Sequence, residues 1–95
     1  MKTSYTPEAI DDLKRLRAFI AKHDPIAAQR IAIELLNGIE KLKVFPQMGL
    51  QVIKAPQPKL IRDLFIGSYT VRYLITQEQI VILRLWQGKE ARKEK

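Results

Sequence analysis

Two arginines and a tyrosine in the last third of the chain have the residue types and spacing of an anion-binding site. Arg62, Tyr73 and Arg84 each lie in an apolar segment of β type. Two guanidinium groups can bind one phosphate or carboxylate through charge-assisted hydrogen bonds. The alternative is that both arginines form ordinary salt bridges, for example with Asp63 or Glu78, since most strand arginines have structural or solvent-exposed roles.

The expected strand register brings these three side chains to one face of a sheet. A two-residue turn at 67–68, with glycine first, pairs Arg62 with Tyr73. A second two-residue turn at 77–78 then places Arg84 on the same face, because side chains alternate along a strand. The two arginine backbones would lie roughly 12 Å apart, within reach of a common anion. A shift of one residue would move Arg84 to the opposite face.

Aromatic residues accompany these arginines. Tyr69, Tyr73 and Trp86 could stack on nucleic-acid bases. Aromatic side chains in strands more often pack in a core or against a neighbouring strand, so we favour packing. His23 is the sole histidine and lies between two predicted helices, where a surface or capping role is expected rather than catalysis. The chain has no cysteine, and we expect neither a metal site nor a cofactor.

Composition indicates one basic domain. The 95 residues carry a net charge of +7, which attracts nucleic acid, a nucleic-acid-bound protein or an acidic protein. We expect a single domain over residues 1–95, with a charged tail at 89–95 that includes Lys89 and Arg92 and is expected to fray. No apolar run predicts a membrane span or a secretory signal, so a cytoplasmic location and no membrane partner are expected.

The N-terminal half reads as a weak first strand at 2–5 followed by two helices. Thr6 and Asp24 are typical N-caps, and each precedes a proline. The first helix has one apolar face, and Asp11 and Asp12 fall on its other side. The apolar period of the second helix extends to Leu42. The short connection between the helices predicts an antiparallel hairpin.

The C-terminal half reads as a loop followed by strands. Prolines and a glycine between 46 and 59 indicate a loop, with a short extended piece at 51–54. Residues 60–66, 69–76 and 80–86 predict a three-stranded antiparallel meander. The fold class is therefore α+β, with the meander packed on one face against the helical hairpin and its other face left for function.

Short motifs in this order resemble the RelE/ParE toxin superfamily of type II toxin–antitoxin systems. They are Tyr5-Thr6-Pro7-Glu8-Ala9, Phe45-Pro46-Gln47-Met48-Gly49, Leu60-Ile61-Arg62-Asp63-Leu64, Gly67-Ser68-Tyr69 and Leu83-Arg84-Leu85-Trp86-Gln87-Gly88-Lys89. The resemblance extends over roughly residues 3–92, and the predicted element order matches the fold of that superfamily.

The resemblance implies two possible activities. RelE-like members cut messenger RNA on the ribosome, whereas ParE-like members poison DNA gyrase. Arg62 and Arg84 match the two strand arginines of the superfamily. The position after Trp86, often histidine there, is Gln87, and an amide cannot shuttle a proton. We therefore expect a ParE-like gyrase inhibitor that is not an enzyme.

Two alternatives remain open. One is a RelE-like endoribonuclease whose site would comprise Arg62, Arg84, Gln87 and Lys89. The other is an inactive homologue that only binds an antitoxin. For a gyrase inhibitor, the candidates for target contact are Arg62, Tyr73, Arg84, Trp86, Lys89 and Arg92.

The resemblance also implies a cognate antitoxin, and the net charge predicts that this antitoxin is acidic. We expect it to be encoded by an adjacent gene and to fold onto the helical hairpin and a sheet edge. Contact with DNA is expected only through the antitoxin.

Overall fold

A five-stranded sheet with a helical hairpin on one face forms the part of the chain that the computed structural model describes, residues 1–88. The strands run in the spatial order β1-β5-β4-β3-β2. The elements are β1 (Lys2–Tyr5), α1 (Pro7–His23), α2 (Pro25–Lys41), β2 (Leu50–Gln51), β3 (Ile61–Ile66), β4 (Tyr69–Ile75) and β5 (Gln79–Gln87). Neither helix in residues 1–88 is long and apolar enough to cross a bilayer.

Both helices begin at the predicted caps. The side-chain oxygen of Thr6 accepts a hydrogen bond from the Ala9 amide at 3.0 Å, and that of Asp24 accepts one from the Ala27 amide at 3.0 Å. Each cap satisfies an amide that has no partner within its own helix, and the proline that follows needs no partner at all. Asp24 also ends α1: its amide makes the last helical hydrogen bond, to the Ile20 carbonyl at 2.8 Å, and its own backbone is extended. The antiparallel hairpin is thereby confirmed.

The predicted meander is confirmed, but it is the centre of a larger sheet. β1 adds in parallel beside β5, and β2 adds antiparallel beside β3. The extended piece predicted at 51–54 is the shorter β2, one residue earlier. The apolar faces of the helices meet one side of the sheet in a single core, formed by Ala9, Leu35, Ile39, Leu42, Leu64, Tyr69, Val71, Tyr73, Ile80, Ile82 and Leu85. The α+β class is therefore confirmed.

Tyr73 ties the loop after α2 to the sheet. Its buried hydroxyl donates to the Pro46 carbonyl at 2.7 Å and accepts from the Gly49 amide at 2.9 Å. A Cβ at Gly49 would lie 2.8 Å from both the Tyr73 hydroxyl and the Asp63 carbonyl oxygen, so only glycine fits there. Burial raises the pKa of the Tyr73 phenol, which therefore stays protonated and keeps donating at neutral pH.

Asp12 is buried, at 4% exposure, although its position in the sequence predicted a solvent-facing side chain. β1 pairs with β5 only as far as Ile82, and α1 takes over that edge of the sheet from there. The Asp12 carboxylate accepts the Leu85 amide at 3.0 Å and receives two hydrogen bonds from Arg84, at 2.7 and 3.1 Å. A side chain of α1 thus replaces the missing strand partner. This role explains why the face of α1 that packs against the sheet carries one buried aspartate among its apolar residues.

The environment of Asp12 favours its charged form. Burial alone would raise the pKa of Asp12. Hydrogen bonds from Arg84 and Leu85, together with the charges of Arg84 and Arg15, lower the pKa by more than burial raises it. The pKa of Asp12 therefore lies below its ordinary value. A carboxyl whose pKa is lowered on folding stabilises the protein above its unfolded-state pKa, and this stabilisation is lost as the pH falls through the folded-state pKa.

Replacing Tyr73 with phenylalanine is expected to destabilise the fold by about 1–3 kcal/mol, because the buried Gly49 amide and Pro46 carbonyl lose their partner. Urea unfolding monitored by circular dichroism measures this change. Tyr69→Phe is the matched control, since Tyr69 packs in the same core and no hydrogen bond involves its hydroxyl within residues 1–88. Equal losses in the two variants would contradict a special role for the Tyr73 hydroxyl.

Replacing Asp12 with asparagine is expected to lower the free energy of unfolding at pH 7 by about 1.5–3 kcal/mol, because charge-assisted hydrogen bonds become neutral ones. The difference from wild type should shrink as the pH falls below about 4, where Asp12 of the unfolded chain becomes protonated. Denaturant unfolding at several pH values measures both effects. Asp11→Asn, at the neighbouring exposed aspartate, is the control. A difference that stays constant down to pH 2 would contradict this account.

Candidate functional site

The structure separates the three residues that the sequence brought together. Arg62 pairs with Tyr73, as predicted, and both lie on the helix-covered face of the sheet. Arg84 pairs with Arg72, whose side chain points to the other face because it neighbours Tyr73 in the same strand. The prediction of one face shared by Arg62, Tyr73 and Arg84 is therefore wrong.

A β-bulge in β5 causes the difference. Tyr73 pairs with Ile82 as the turn predicts, but Arg72 pairs with Arg84, so Leu83 is an extra residue with no partner in β4. The Leu83 carbonyl accepts a hydrogen bond of 2.8 Å from the Thr6 hydroxyl. Turn geometry alone predicts a uniform register. Contacts from the start of α1 instead shift the part of β5 that follows Leu83 by one residue.

Arg62 holds the loop that precedes it. Its guanidinium donates to the backbone carbonyls of Gly49 at 2.9 Å, Gln47 at 3.2 Å and Lys59 at 3.2 Å. These are the contacts of a structural clamp, and they explain why this arginine needs no acidic partner. Tyr73 has no exposed surface and cannot contact a target molecule, so its prediction as a target-contact residue is wrong.

A charge row crosses the face opposite the helices from Asp63 through Arg72 to Arg84, and it ends at Asp12 of α1 beside the edge of β5. The first three lie directly opposite one another on β3, β4 and β5. Arg72 binds Asp63 through two hydrogen bonds of 2.8 and 3.0 Å, and Arg84 binds Asp12 through its own pair. Each arginine is thus held by the aspartate on its outer side, which offsets the repulsion between the two guanidinium groups.

Trp86 lies beside this charge row. The Arg72 guanidinium carbon is 5.0 Å from the indole centroid, within the range of a cation–π contact. Trp86 therefore packs against a neighbouring strand, as the sequence analysis favoured. Arg84 is the most accessible member of the row, with 34% of its side chain exposed. The hydrogen bonds that Arg84 donates to the Asp12 carboxylate raise the pKa of Arg84 above its ordinary value, so Arg84 stays charged.

The chemistry available here is recognition of an anion or a polar surface by a fixed arginine next to an indole. Sequence reasoning missed Arg72 and Asp12. The register of the first hairpin could have revealed Arg72, because it pairs Asp63 with Arg72 and places their charges side by side. Asp12 gave no such signal, since the edge of β5 that it completes is visible only in the fold.

The remaining candidates lie apart from the charge row. Gln87 is exposed and pairs with Tyr69, and His23 lies at the end of α1 with its ring 5.5 Å from that of Phe19. Lys89 and Arg92 fall outside the described residues. Within residues 1–88 no cluster of three or more acidic or histidine side chains could hold a metal ion.

The helical hairpin carries a second feature, an apolar groove of about 190 Å³ on its surface. Lys14 and Arg17 contribute the only charged side chains of its lining within residues 1–88. The rest of the lining is aliphatic and comprises Leu13, Leu16, Ile20, Ala28, Ile31, Ala32, Leu35 and Leu36. A groove of this kind fits the apolar face of a helix whose flanks are acidic.

Comparison with known proteins places these features in a family. The sequence profile of the ParE toxin of type II toxin–antitoxin systems, parDE, matches residues 4–92. Toxin RelE2 of Caulobacter vibrioides is 28% identical over 81 residues, covering 85% of this chain and 88% of that protein. Toxin RelE1 of the same organism is 30% identical over 82 residues, covering 85% and 86%.

A solved structure has the same fold. It is described as the chromosomal ParDE toxin–antitoxin system from P. aeruginosa, and one of its chains superposes with a TM-score of 0.77 at 18% identity, covering 94% of this chain and 97% of that one. The resemblance to the RelE/ParE superfamily is thereby confirmed. Because the family profile spans nearly the whole sequence, this protein belongs to the ParE toxin family of type II toxin–antitoxin systems.

Proposed function

We propose that this toxin inhibits DNA gyrase through protein–protein contacts and is not a ribonuclease. One observation carries the proposal: Arg62 and Arg84 lie on opposite faces of the sheet. A nuclease site built on these two arginines requires both guanidinium groups at one phosphate, where they would stabilise the transition state. Placement on opposite faces disfavours that convergence and supports the proposal.

The residues that could transfer protons have other roles. RNA cleavage through the ribose 2′-hydroxyl needs a general base and a general acid near the phosphate. Tyr73 is buried with a raised pKa and holds the loop after α2. His23 lies at the far end of α1, and Gln87 carries an amide that cannot ionise. These placements favour a toxin that binds its target without chemistry.

A second candidate function is RelE-like cleavage of messenger RNA. It is favoured by the charge row, where Arg72 and Arg84 share one face beside Trp86. Two arginines and an indole can bind a phosphate and stack on a base. A nuclease of this kind would use a different arginine pair from the one that the sequence indicated.

Membership of the family implies a cognate antitoxin, and we propose that its gene is adjacent and its toxin-binding segment acidic. The net charge of +7 and the basic rim of the hairpin groove support an acidic partner. The groove is lined by aliphatic side chains and would take one amphipathic helix of the antitoxin. A cytoplasmic location follows from this proposal, because gyrase acts on DNA in the cytoplasm.

The proposal predicts that purified toxin blocks supercoiling by purified gyrase or traps cleaved DNA, and leaves messenger RNA intact on translating ribosomes. Arg84→Lys keeps the charge but loses the planar fork, so inhibition should weaken about tenfold to a hundredfold if Arg84 makes charge-assisted contacts worth roughly 1.5–3 kcal/mol. Arg30→Lys, on the exposed surface of α2, is the control. Cleavage of ribosome-bound RNA with gyrase unaffected would instead establish the second candidate.

Antitoxin binding is expected to depend on the groove. Leu36→Asp places a charge among the aliphatic groove residues, and affinity for the antitoxin should fall at least tenfold, because burial of one leucine stabilises a complex by about 1.5–3 kcal/mol. Isothermal titration calorimetry measures the affinity. Ile33→Asp is the matched control, since Ile33 is an exposed aliphatic residue of the same helix outside the groove lining. Equal losses of affinity in the two variants would contradict a specific role for the groove in antitoxin binding.

A further inference from the structure

The loop between α2 and β3 exposes a second apolar surface, made of residues that do not line the groove. Within residues 44–53, five large apolar side chains face solvent, and we call them the loop patch: Val44, Phe45, Met48, Leu50 and Ile53. Ile53 is 83% exposed and Phe45 is 62% exposed. Clusters of exposed apolar residues on a small soluble domain mark interaction sites, because they leave apolar surface in water without any gain to the fold.

The backbone beneath the loop patch is firmly held. Tyr73 bonds the Pro46 carbonyl and the Gly49 amide, and Arg62 bonds the carbonyls of Gln47 and Gly49. A residue larger than glycine does not fit at 49. A buried tyrosine and an arginine thus hold the exposed apolar side chains of this loop in a fixed geometry. A preorganised surface of this kind loses less conformational entropy when a partner binds.

The loop patch includes a strand edge. β2 is one of the two edge strands of the described sheet, with β1 at the other edge, and both Leu50 and Gln51 are exposed. In an antiparallel pair, alternate residues direct their N–H and C=O groups away from the partner strand. An edge of this kind accepts an added strand from another chain, with backbone hydrogen bonds giving affinity and side chains giving specificity.

Charge identifies the chemistry of the partner. Residues 41–62 contain five of the 17 basic residues and none of the 10 acidic ones. Lys43 is engaged by Glu40 at 2.8 Å, whereas Lys54 and Lys59 are exposed and make no ion pair within residues 1–88. A second copy of this chain would bring like charges together, which disfavours self-association. The complementary partner is acidic, and the apolar side chains favour a protein over nucleic acid.

We propose that the loop patch and the β2 edge form the docking surface for an acidic, aliphatic, extended segment of the protein that this toxin inhibits. This inference rests on the proposed function in one respect, that the target is a protein. It assigns different partners to two surfaces: the hairpin groove binds the antitoxin, and the loop patch binds the target in addition to the Arg84 contact proposed above. Patch variants should therefore lose toxicity while keeping the antitoxin.

The experiment compares exposed residues of the same type. Ile53→Ser and Phe45→Ser alter the loop patch, and Ile26→Ser, 79% exposed at the start of α2 and outside the groove lining, is the matched control. Lys54→Glu tests the charge, with Lys22→Glu in the last turn of α1 as its control. Thermal unfolding verifies that each variant folds. The readouts are growth arrest on induction, half-maximal inhibition of purified gyrase, and antitoxin affinity by calorimetry.

Both serine variants at the loop patch, and Lys54→Glu, are expected to raise the concentration for half-maximal inhibition at least tenfold and to weaken growth arrest. Their antitoxin affinity should stay within twofold of wild type, and the controls should match wild type in all three readouts. Patch variants that arrest growth as strongly as wild type would overturn the proposal. So would a parallel loss of antitoxin affinity, since the surface would then belong to the antitoxin.

Two further outcomes separate this inference from the proposed function. If wild-type toxin arrests growth but leaves gyrase active, the gyrase assignment fails, while growth arrest by the variants still tests the loop patch. If Lys54→Glu abolishes toxicity but Ile53→Ser and Phe45→Ser do not, the surface binds through charge alone. That result points to nucleic acid and overturns a protein segment as the occupant.

Discussion

The carboxylate of Asp12 is the contact on which the geometry of the sheet depends. It occupies the edge of β5 where β1 has ended, and it accepts the Leu85 amide that would otherwise face a helix without a partner. A buried amide without a partner costs about 1–3 kcal/mol, so this edge must be completed by some acceptor. Placing the acceptor on α1 joins the first helix to the last strand and fixes how the hairpin lies on the sheet.

This contact also determines which side chains lie together on the outer face. The Thr6 hydroxyl bonds the carbonyl of Leu83, the extra residue of the bulge, and Asp12 accepts the amide of Leu85 two residues later. The bulge turns Arg84 away from the core and towards Arg72. The same carboxylate then fixes the Arg84 guanidinium. Helix attachment, strand register and the orientation of one arginine therefore all involve Asp12.

Local signals explain how much of the fold the sequence predicted. Cap residues before prolines located both helices, and the Gly67-Ser68 turn gave the correct pairing of Arg62 with Tyr73, because these features depend on neighbouring residues alone. The bulge depends on contacts between residues more than 70 positions apart, from Thr6 to Leu83 and from Asp12 to Leu85. No pattern within one strand encodes such a contact. The site prediction therefore failed at Arg84, although the turn preceding that strand was correct.

Stability alone does not explain why the charge row contains two ion pairs. Two ion pairs with largely buried carboxylates contribute little net free energy compared with well-packed apolar side chains, because desolvation offsets most of their attraction. Asp12 is needed to complete β5, but a neutral acceptor could satisfy the Leu85 amide. Asp63 and Arg72 complete no strand edge, since β3 and β4 are already paired through them. What the four charges do achieve is a fixed orientation of two adjacent guanidinium groups on a surface the helices leave uncovered. Such an orientation preorganises the two guanidinium groups, a property that recognition of a partner would use and that folding does not require.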